Sequence, residues 1–245
     1  MIRKSQGTSI PFVTSEQVKE LDRAMIEDYG VQLVQMMENA GYKLARLAKT
    51  RFIGPDIRGK SVIILAGAGG NGGGALAGAR HLHNWGANVK AVIAKAPGEF
   101  SPAAALQLDI LSRIGIPILD APPPDGDMID LIVDGLIGYS LDGILRDNIS
   151  FLIRWANAQS APILSLDIPS GVDANSGALQ NDTIQAAATM ALALPKAGVR
   201  HARCRKRCGE LYLADIGVPP SLYEEFGLDA AEAAIFAHVD ILRLS

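Results

Sequence analysis

Hydrophobic and polar positions follow two different periods along the chain. Near the N-terminus, apolar residues recur three and four positions apart, which is typical of amphipathic helices. The segment 14–17 has the pattern of a capping box, in which two side chains satisfy the first free amides of a helix. A helix is therefore predicted after Thr14, and Gly30 is expected to end it. Its inward face is expected to carry Val18, Leu21, Met25 and Ile26.

A second helix is predicted from about Leu33 to Lys49, again from apolar residues at helical spacing. The residues expected to face the core are Met36, Met37, Ala40, Leu44 and Leu47. Because a methionine-rich helix face is more often core than cofactor site, these two helices are interpreted as packing elements.

From Lys60 onward the pattern changes to strands that alternate with helices. Residues 61–66 form a continuous apolar run, as expected for a strand buried on both faces. The predicted strands are Ser61–Ala66, Asn88–Ala94, Ile116–Leu119, Leu131–Asp134, Ile163–Asp167, Thr189–Leu194 and Leu211–Asp215. Helices are predicted at about Gly74–Trp85 and Pro102–Ile114.

This alternation predicts an α/β fold, a three-layer α/β/α Rossmann-like architecture with a mostly parallel central sheet and two extra N-terminal helices. The best linker candidate is Pro122–Pro124, but strands are predicted on both sides of it. We therefore expect residues 1–245 to form a single domain.

Composition and charge narrow the class of protein. The 23 basic and 26 acidic residues give a net charge of −3, which argues against bulk nucleic-acid binding. Apolar runs are of strand length, well short of the roughly 20 residues that cross a bilayer. No apolar leader follows the first four residues. We expect a cytoplasmic enzyme without a membrane partner.

One segment has a special composition. Basic residues crowd positions 196–207, where a solvated loop is favoured and a phosphate or RNA contact is the alternative. The two cysteines, Cys204 and Cys208, and the nearby His201 do not complete a four-ligand zinc site. A disulfide is not expected in a reducing compartment.

A glycine cluster, residues 67–74, comes directly after the first buried strand and opens a helix. Such a loop lets the backbone approach a ligand, and the helix N-terminus offers free amides to an anion. The spacing resembles a dinucleotide fingerprint, but Lys95 stands where an acid usually ends the second strand, with Glu99 beyond it. An ordinary NAD dehydrogenase is therefore disfavoured. A tight turn without ligand remains possible, and a phosphate-bearing or polar ligand is preferred.

Carboxylates end two further predicted strands, at Asp134 and Asp167, and Ser170 lies in the turn after the second. A single aspartate there caps a helix as often as it serves a site, but two that flank a glycine-rich loop favour a site. Asn71, Asp134 and Ser170 together would offer oxygen ligands suited to a hard cation.

Seven segments, taken in order, resemble the YjeF N-terminal domain family, the NAD(P)H-hydrate epimerases. They are Val13–Gln17, Met36–Gly41, Gly67–Gly74, Gly78–Leu82, Asp134–Gly138, Asp167–Gly171 and Leu194–Gly198. The resemblance runs from about residue 13 to residue 220.

The resemblance implies a reaction that interconverts the two epimers at C6 of hydrated NADH or NADPH. It implies that Asp167 is the acid/base residue and that Asn71, Asp134 and Ser170 hold one potassium ion per subunit. The substrate contacts that it implies are Gly70, Asn71, Gly72, Gly73, Gly74, Gly138, Tyr139, Ser140, Leu141, Asp167, Thr189 and Lys196. It further implies a homodimer with contacts through the two N-terminal helices.

The chain departs from the family pattern at the site itself. Gly70 replaces an asparagine, Gly74 an aspartate and Ala75 a glycine, and Tyr139 and Ser140 stand where threonine and glycine are usual. Ala187 also stands where an acid is common.

Two hypotheses follow from these departures. The first is a working epimerase with a remodelled phosphate loop. The second is a non-catalytic relative that binds a nucleotide or RNA, or scaffolds a protein partner. A weaker third keeps the pocket for another nucleotide or a sugar phosphate.

Overall fold

Nine strands of the computed structural model form one sheet, described for residues 2–4, 10–124, 128–228 and 234–244. The strands are β1 Ile2–Lys4, β2 Ser61–Ala66, β3 Asn88–Ile93, β4 Ile118–Leu119, β5 Leu131–Gly135, β6 Ile163–Leu166, β7 Ala188–Leu192, β8 Glu210–Ala214 and β9 Ile241–Arg243. Their order across the sheet is β1-β9-β8-β7-β6-β5-β2-β3-β4. Every neighbouring pair is parallel except β8 and β9. The predicted mostly parallel sheet is confirmed.

Seven α-helices of the described residues cover the sheet. They are α1 Ser15–Glu27, α2 Leu33–Ala48, α3 Gly70–Asn84, α4 Pro102–Arg113, α5 Asp147–Ala158, α6 Ala202–Cys208 and α7 Pro220–Glu225. A π-helical turn, Lys49–Ile53, continues α2, and short 3-10 turns occupy Pro97–Glu99 and Ala197–Arg200. None of the described helices is long and apolar enough to cross a membrane.

The alternation of side chains along β2 explains the three layers. Val62, Ile64 and Ala66 belong to the core under α2, α3 and α4, whereas Ile63 and Leu65 pack with α5 on the other face. All five are essentially inaccessible, because successive side chains of a central strand point to opposite, covered faces. The α/β/α architecture is thus confirmed.

The two N-terminal helices form as predicted. Thr14 caps α1, since its hydroxyl accepts from the Gln17 amide at 3.2 Å and the Gln17 side chain accepts from the Thr14 amide at 2.9 Å. The five apolar residues assigned to the inward face of α2 are all buried. On α1 the assignment of Ile26 is wrong, since it is 36% exposed and Ala24 takes the inward position. The step of about 100° per residue turns Ile26 away once Met25 faces the core.

Two local predictions needed correction. Helix α3 begins at Gly70, inside the glycine cluster rather than at its end, so the glycines supply its first turn. The basic segment predicted as a loop contains the short helix α6. Within this segment Arg207 donates to Gln185 Oε1 at 3.1 Å, and Arg200 stacks on the Phe12 ring at 4.6 Å.

Candidate functional site

The site lies where the strand order of the sheet reverses. Strands β3 and β4 follow on one side of β2, while β5 to β8 follow on the other. In open α/β sheets, ligands bind in the crevice outside the carboxyl ends of the strands at such a reversal. The crevice here is bounded by the glycine-rich loop after β2, the loop after β5 and the turn after β6.

The glycine-rich loop fits tightly against the loop after β5. A Cβ atom at Gly67 would lie 1.9 Å from the carbonyl oxygen of Leu136, so only glycine allows these two loops to touch. The chain then enters α3 directly, and Gly70 and Asn71 in its first turn face the crevice. The amides of this turn have no intrahelical acceptor and suit an anionic group.

Two adjoining cavities occupy the crevice. The first, here called the Asp167 cavity, has a volume of about 220 Å³. The second, here called the Lys95 cavity, has a volume of about 490 Å³ and is also lined by Glu99 and Arg146. The residues that line both are Gly70, Asn71, Gly138 and Ser140. Because the cavities meet at these residues, together they suit an extended ligand with two halves.

Asp167 follows β6 directly and adopts a backbone conformation that is rare for a non-glycine residue. Its φ is +71°, and its amide donates to the Met190 carbonyl at 2.7 Å. Ala193, with φ +58°, lines the same cavity. Left-handed conformations of this kind cost free energy and persist where the surrounding structure imposes them, often at functional sites.

The Asp167 carboxylate forms a buried ion pair with Lys196. The residues are 3% and 1% exposed, so both charges lie away from bulk water. Oδ2 of Asp167 also accepts the backbone amide of Tyr139 at 2.9 Å. The Lys196 ammonium donates to the carbonyls of Leu192 at 3.0 Å and Leu194 at 3.2 Å. These partners offset the cost of burying the two charges.

A second carboxylate, Asp22 of α1, lines the same cavity. The Tyr139 hydroxyl donates to its Oδ2 at 2.6 Å, and the Tyr139 ring lies 5.9 Å from the Lys196 ammonium. Burial raises the pKa of Asp22, and the Asp167 charge raises it further, while the Tyr139 hydrogen bond and Lys196 oppose this shift. Burial and the neighbouring Asp22 also raise the pKa of Tyr139.

Asp134, at the end of β5, has a different environment. It is fully buried and accepts four hydrogen bonds, from the Ser165 hydroxyl at 2.8 Å, the Ser170 amide at 2.9 Å, the Ser170 hydroxyl at 2.5 Å and the Leu136 amide at 3.3 Å. Burial raises its pKa, and these hydrogen bonds work in the opposite direction. Among the described residues, no basic side chain pairs with it.

The three residues predicted to hold a cation fit that role in two respects. The side-chain amide of Asn71 is buried, and in the described part of the chain neither its oxygen nor its nitrogen has a hydrogen-bond partner. The Asp134 carboxylate is stabilised by hydrogen bonds alone, without a basic partner among the described residues. A buried amide oxygen without a donor, a carboxylate and the Ser170 hydroxyl are ligands that a hard cation prefers.

The structure brings most of the predicted site residues together. The Asp167 cavity is lined by Gly70, Asn71, Gly74, Gly138, Tyr139, Ser140, Asp167 and Lys196, and Leu141 lines the Lys95 cavity. Gly138 permits close packing here, because a Cβ atom at this position would lie 2.9 Å from Asp167 Oδ2 and 3.2 Å from Asn71 Cγ.

Three predicted contact residues line neither cavity. Gly72 packs against the carbonyl of Gly67, and Gly73 packs against the side chain of Met37. Thr189 is fully buried, and its hydroxyl donates to the Cys208 carbonyl at 2.8 Å. Their contacts are those of packing and local hydrogen bonding.

Sequence reasoning missed Asp22. The available signal was its position four residues after Val18 and three before Met25, on the stripe expected to face the core. A carboxylate on such a stripe predicts either a buried hydrogen bond or a lined cavity, and the structure shows both.

Comparison with known proteins gives a consistent result. Residues 33–198 match the family described as YjeF-related protein N-terminus. The chain is 40% identical over 224 residues to an NAD(P)H-hydrate epimerase of Dehalogenimonas lykanthroporepellens, covering 91% of this chain and 89% of that one. It is 32% identical over 223 residues to an NAD(P)H-hydrate epimerase of Rhodopirellula baltica, covering 89% of each.

A longer relative and a solved structure extend this comparison. A bifunctional NAD(P)H-hydrate repair enzyme of Salinibacter ruber is 33% identical over 225 residues, and the match covers 86% of this chain but 41% of that protein. The crystal structure of yeast ynu0 superposes with a TM-score of 0.80 at 26% identity, covering 96% of this chain and 100% of the yeast chain.

Proposed function

The chain belongs to the family of YjeF-related protein N-termini, and from that premise we propose that it is an NAD(P)H-hydrate epimerase. The observation that carries the proposal is the Asp167 cavity. A buried carboxylate, a lysine and the glycine-rich loop meet there, at the point where the strand order of the sheet reverses. The shared name of the relatives favours this enzyme over the RNA-binding or scaffold alternative.

We propose that the substrate lies across both cavities. The hydrated nicotinamide ring occupies the Asp167 cavity, and the phosphates lie near the α3 N-terminus, where both cavities meet at Gly70 and Asn71. The adenosine half then falls in the Lys95 cavity, with Ser140 and Leu141 beside it. Gly70 and Gly74, which stand where the family usually has asparagine and aspartate, also line the Asp167 cavity.

The reaction at C6 requires proton transfer and firm positioning. Protonation of the C6 hydroxyl releases water, and the N1 lone pair stabilises the resulting cation as an iminium ion. Water then returns to C6 and loses a proton. Asp167 is the proposed acid/base residue, because it lies in the cavity and its orientation is fixed by Lys196 and the Tyr139 amide. Its negative charge also stabilises the cationic intermediate.

We further propose one potassium ion held by Asn71, Asp134 and Ser170. The unpartnered Asn71 oxygen and the buried Asp134 carboxylate, which has no basic partner among the described residues, support this assignment. When bound, the ion supplies positive charge beside an anionic substrate. The Ser170 hydroxyl, which also accepts the Ile137 amide at 2.9 Å, orders the loop that follows β5.

A homodimer in the cytoplasm completes the proposal. Ile26 on α1, Tyr29 two residues beyond its end and Tyr42 on α2 are large hydrophobic side chains with at least a third of their surface exposed. Burying them between subunits would remove apolar surface from water. Sedimentation equilibrium checks the subunit number.

The epimerase assay mixes purified protein with both epimers of hydrated NADPH and a dehydratase that consumes only the S epimer. Without epimerase the reaction stalls near half, apart from slow spontaneous exchange. We expect rapid completion with the wild-type protein. A stall near half, with folded protein verified by circular dichroism, would refute the proposed activity.

A further inference from the structure

Epimerisation at C6 makes a stereochemical demand that one fixed carboxylate does not meet. The hydroxyl leaves from one face of the ring and returns to the other, so protons must be handled on both faces. A general acid or base acts only within hydrogen-bond reach of its target. Asp167 is held by Lys196 and by the Tyr139 amide, so it is anchored on one side of the cavity.

Asp22 provides a carboxylate from a different wall of this cavity. It lies on α1, in the helical layer, whereas Asp167 lies at the edge of the sheet. Tyr139 lies between them, since its backbone amide donates to Asp167 at 2.9 Å and its hydroxyl donates to Asp22 at 2.6 Å. Tyr139 therefore links the two carboxylates, and both line the cavity that the substrate ring is proposed to occupy.

The two carboxylates also differ in their partners. Asp167 pairs directly with the Lys196 ammonium, whereas the hydrogen-bond partner of Asp22 is a neutral phenol. Burial raises the pKa of Asp22, which favours the protonated form. Pairs of carboxyl groups in unequal environments divide the roles of acid and base between them.

The charged and titratable groups that face Asp22 across the cavity are Tyr139, Asp167 and Lys196. On its own helix, Arg23 forms ion pairs with Glu20 and Glu27 on the exposed side.

We propose that Asp22 is a second catalytic residue and transfers the proton at the face of C6 opposite to Asp167. This assignment rests on the proposed epimerase function. In one direction the Asp22 carboxylic acid protonates the C6 hydroxyl, the C–O bond breaks, and its electron pair leaves with water. The N1 lone pair forms the C6–N1 double bond.

Water then adds to the other face. A water oxygen forms the new C6–O bond, the π electron pair returns to N1, and the Asp167 carboxylate takes the released proton. In the reverse direction the roles exchange. Proton exchange with solvent restores the starting state between turnovers.

The test measures kcat/KM from each purified epimer against pH. In both directions one carboxyl must be protonated and the other ionised, so the alkaline limb of the pH profile reports loss of the proton that Asp22 and Asp167 share. We expect Asp22→Asn to lower kcat by about 10²- to 10⁴-fold and to remove this limb. Asparagine retains an oxygen that accepts from Tyr139, so the melting temperature should stay close to that of the wild type.

Tyr139→Phe is the second variant, and Glu27→Gln on the exposed side of α1 is the matched control. The Tyr139 hydrogen bond favours the Asp22 carboxylate, so its removal should shift the alkaline limb to higher pH while the ring remains. Glu27→Gln should leave the profile unchanged.

Wild-type kcat/KM in Asp22→Asn, or an unshifted limb in Tyr139→Phe, would overturn the role of Asp22 while leaving the epimerase function intact. An inactive wild-type protein would overturn the function and this role together.

Discussion

Two adjacent strand ends carry buried aspartates that the protein stabilises in different ways. Asp134, after β5, is surrounded by hydroxyl and amide donors. Asp167, after β6, pairs with Lys196 and accepts a single backbone amide. Asp134 lines neither cavity, whereas Asp167 faces one directly.

The difference lies in what surrounds each carboxylate. The hydrogen bonds of Asp134 tie the turn at Ser170 to the loop at Leu136, so its carboxylate organises both walls of the crevice. Asp167 lines the cavity and has fewer donors around it, which suits the proton transfer that we propose for it. The same residue type, at equivalent positions of neighbouring strands, therefore supports different roles.

The largest effect is expected from Asp167→Asn. Asparagine tolerates a positive φ, so the substitution removes mainly the charge. Lys196 would remain buried without its counter-ion, and breaking such a pair costs about 3 to 5 kcal/mol. We expect that loss in the free energy of unfolding, measured by urea denaturation, together with loss of turnover.

The double variant Asp167→Asn, Lys196→Met is the control for that experiment. Removing both charges should recover most of the stability but none of the activity, because apolar replacement of a buried pair is often neutral. Equal instability of the single and double variants would show that the ion pair does not dominate the effect.

A smaller effect is expected from Asp134→Asn. The new amide NH₂ would face donors from which the carboxylate now accepts hydrogen bonds. A buried donor without an acceptor costs about 1 to 3 kcal/mol.

Potassium chloride should raise the melting temperature of the wild type above that in choline chloride, since a ligand that binds the native state stabilises it. The variant should lose this difference. Equal wild-type melting temperatures in the two salts would contradict the proposed ion site.

The smallest effect is expected from Thr189→Val. The hydrogen bond to the Cys208 carbonyl would be lost, at a cost of about 1 kcal/mol. Because Thr189 lines neither cavity, KM and kcat should stay at wild-type values, with Thr189→Ser as the control that keeps the hydroxyl. A raised KM in the valine variant, but not in the serine variant, would show that the Thr189 hydroxyl contributes to substrate binding.

Regular elements were predictable where periodicity was strong. Ser61–Ala66 matches β2 to the residue, and the strand predicted at Asn88–Ala94 ends one residue earlier. Helix α6 was not predicted, because its arginines and lysine show no apolar stripe and its burial rests on Cys204 and Cys208. The antiparallel pairing of β9 with β8 depends on contacts distant in sequence.

Candidate site residues were predictable as a set but not as an arrangement. Strand-end position pointed to Asp134 and Asp167 alike, because both follow apolar runs. Asp22 could not be recognised as a site residue from the sequence, because it lies on the apolar stripe of α1. Its hydrogen bond with Tyr139 joins residues 117 positions apart, so no local pattern indicates it.

The sequence by itself determined the two N-terminal helices, the alternation of strands and helices from Ser61 onward, the glycine-rich turn after β2 and the membership of the family. These depend on local periodicity, on backbone freedom and on motifs read in order. Only the tertiary structure decided which aspartate pairs with a lysine, which is enclosed by donors, and that a carboxylate of α1 enters the same cavity. Burial and partners are set by chain segments that meet only when the sheet and its helices have packed, so they leave no local pattern.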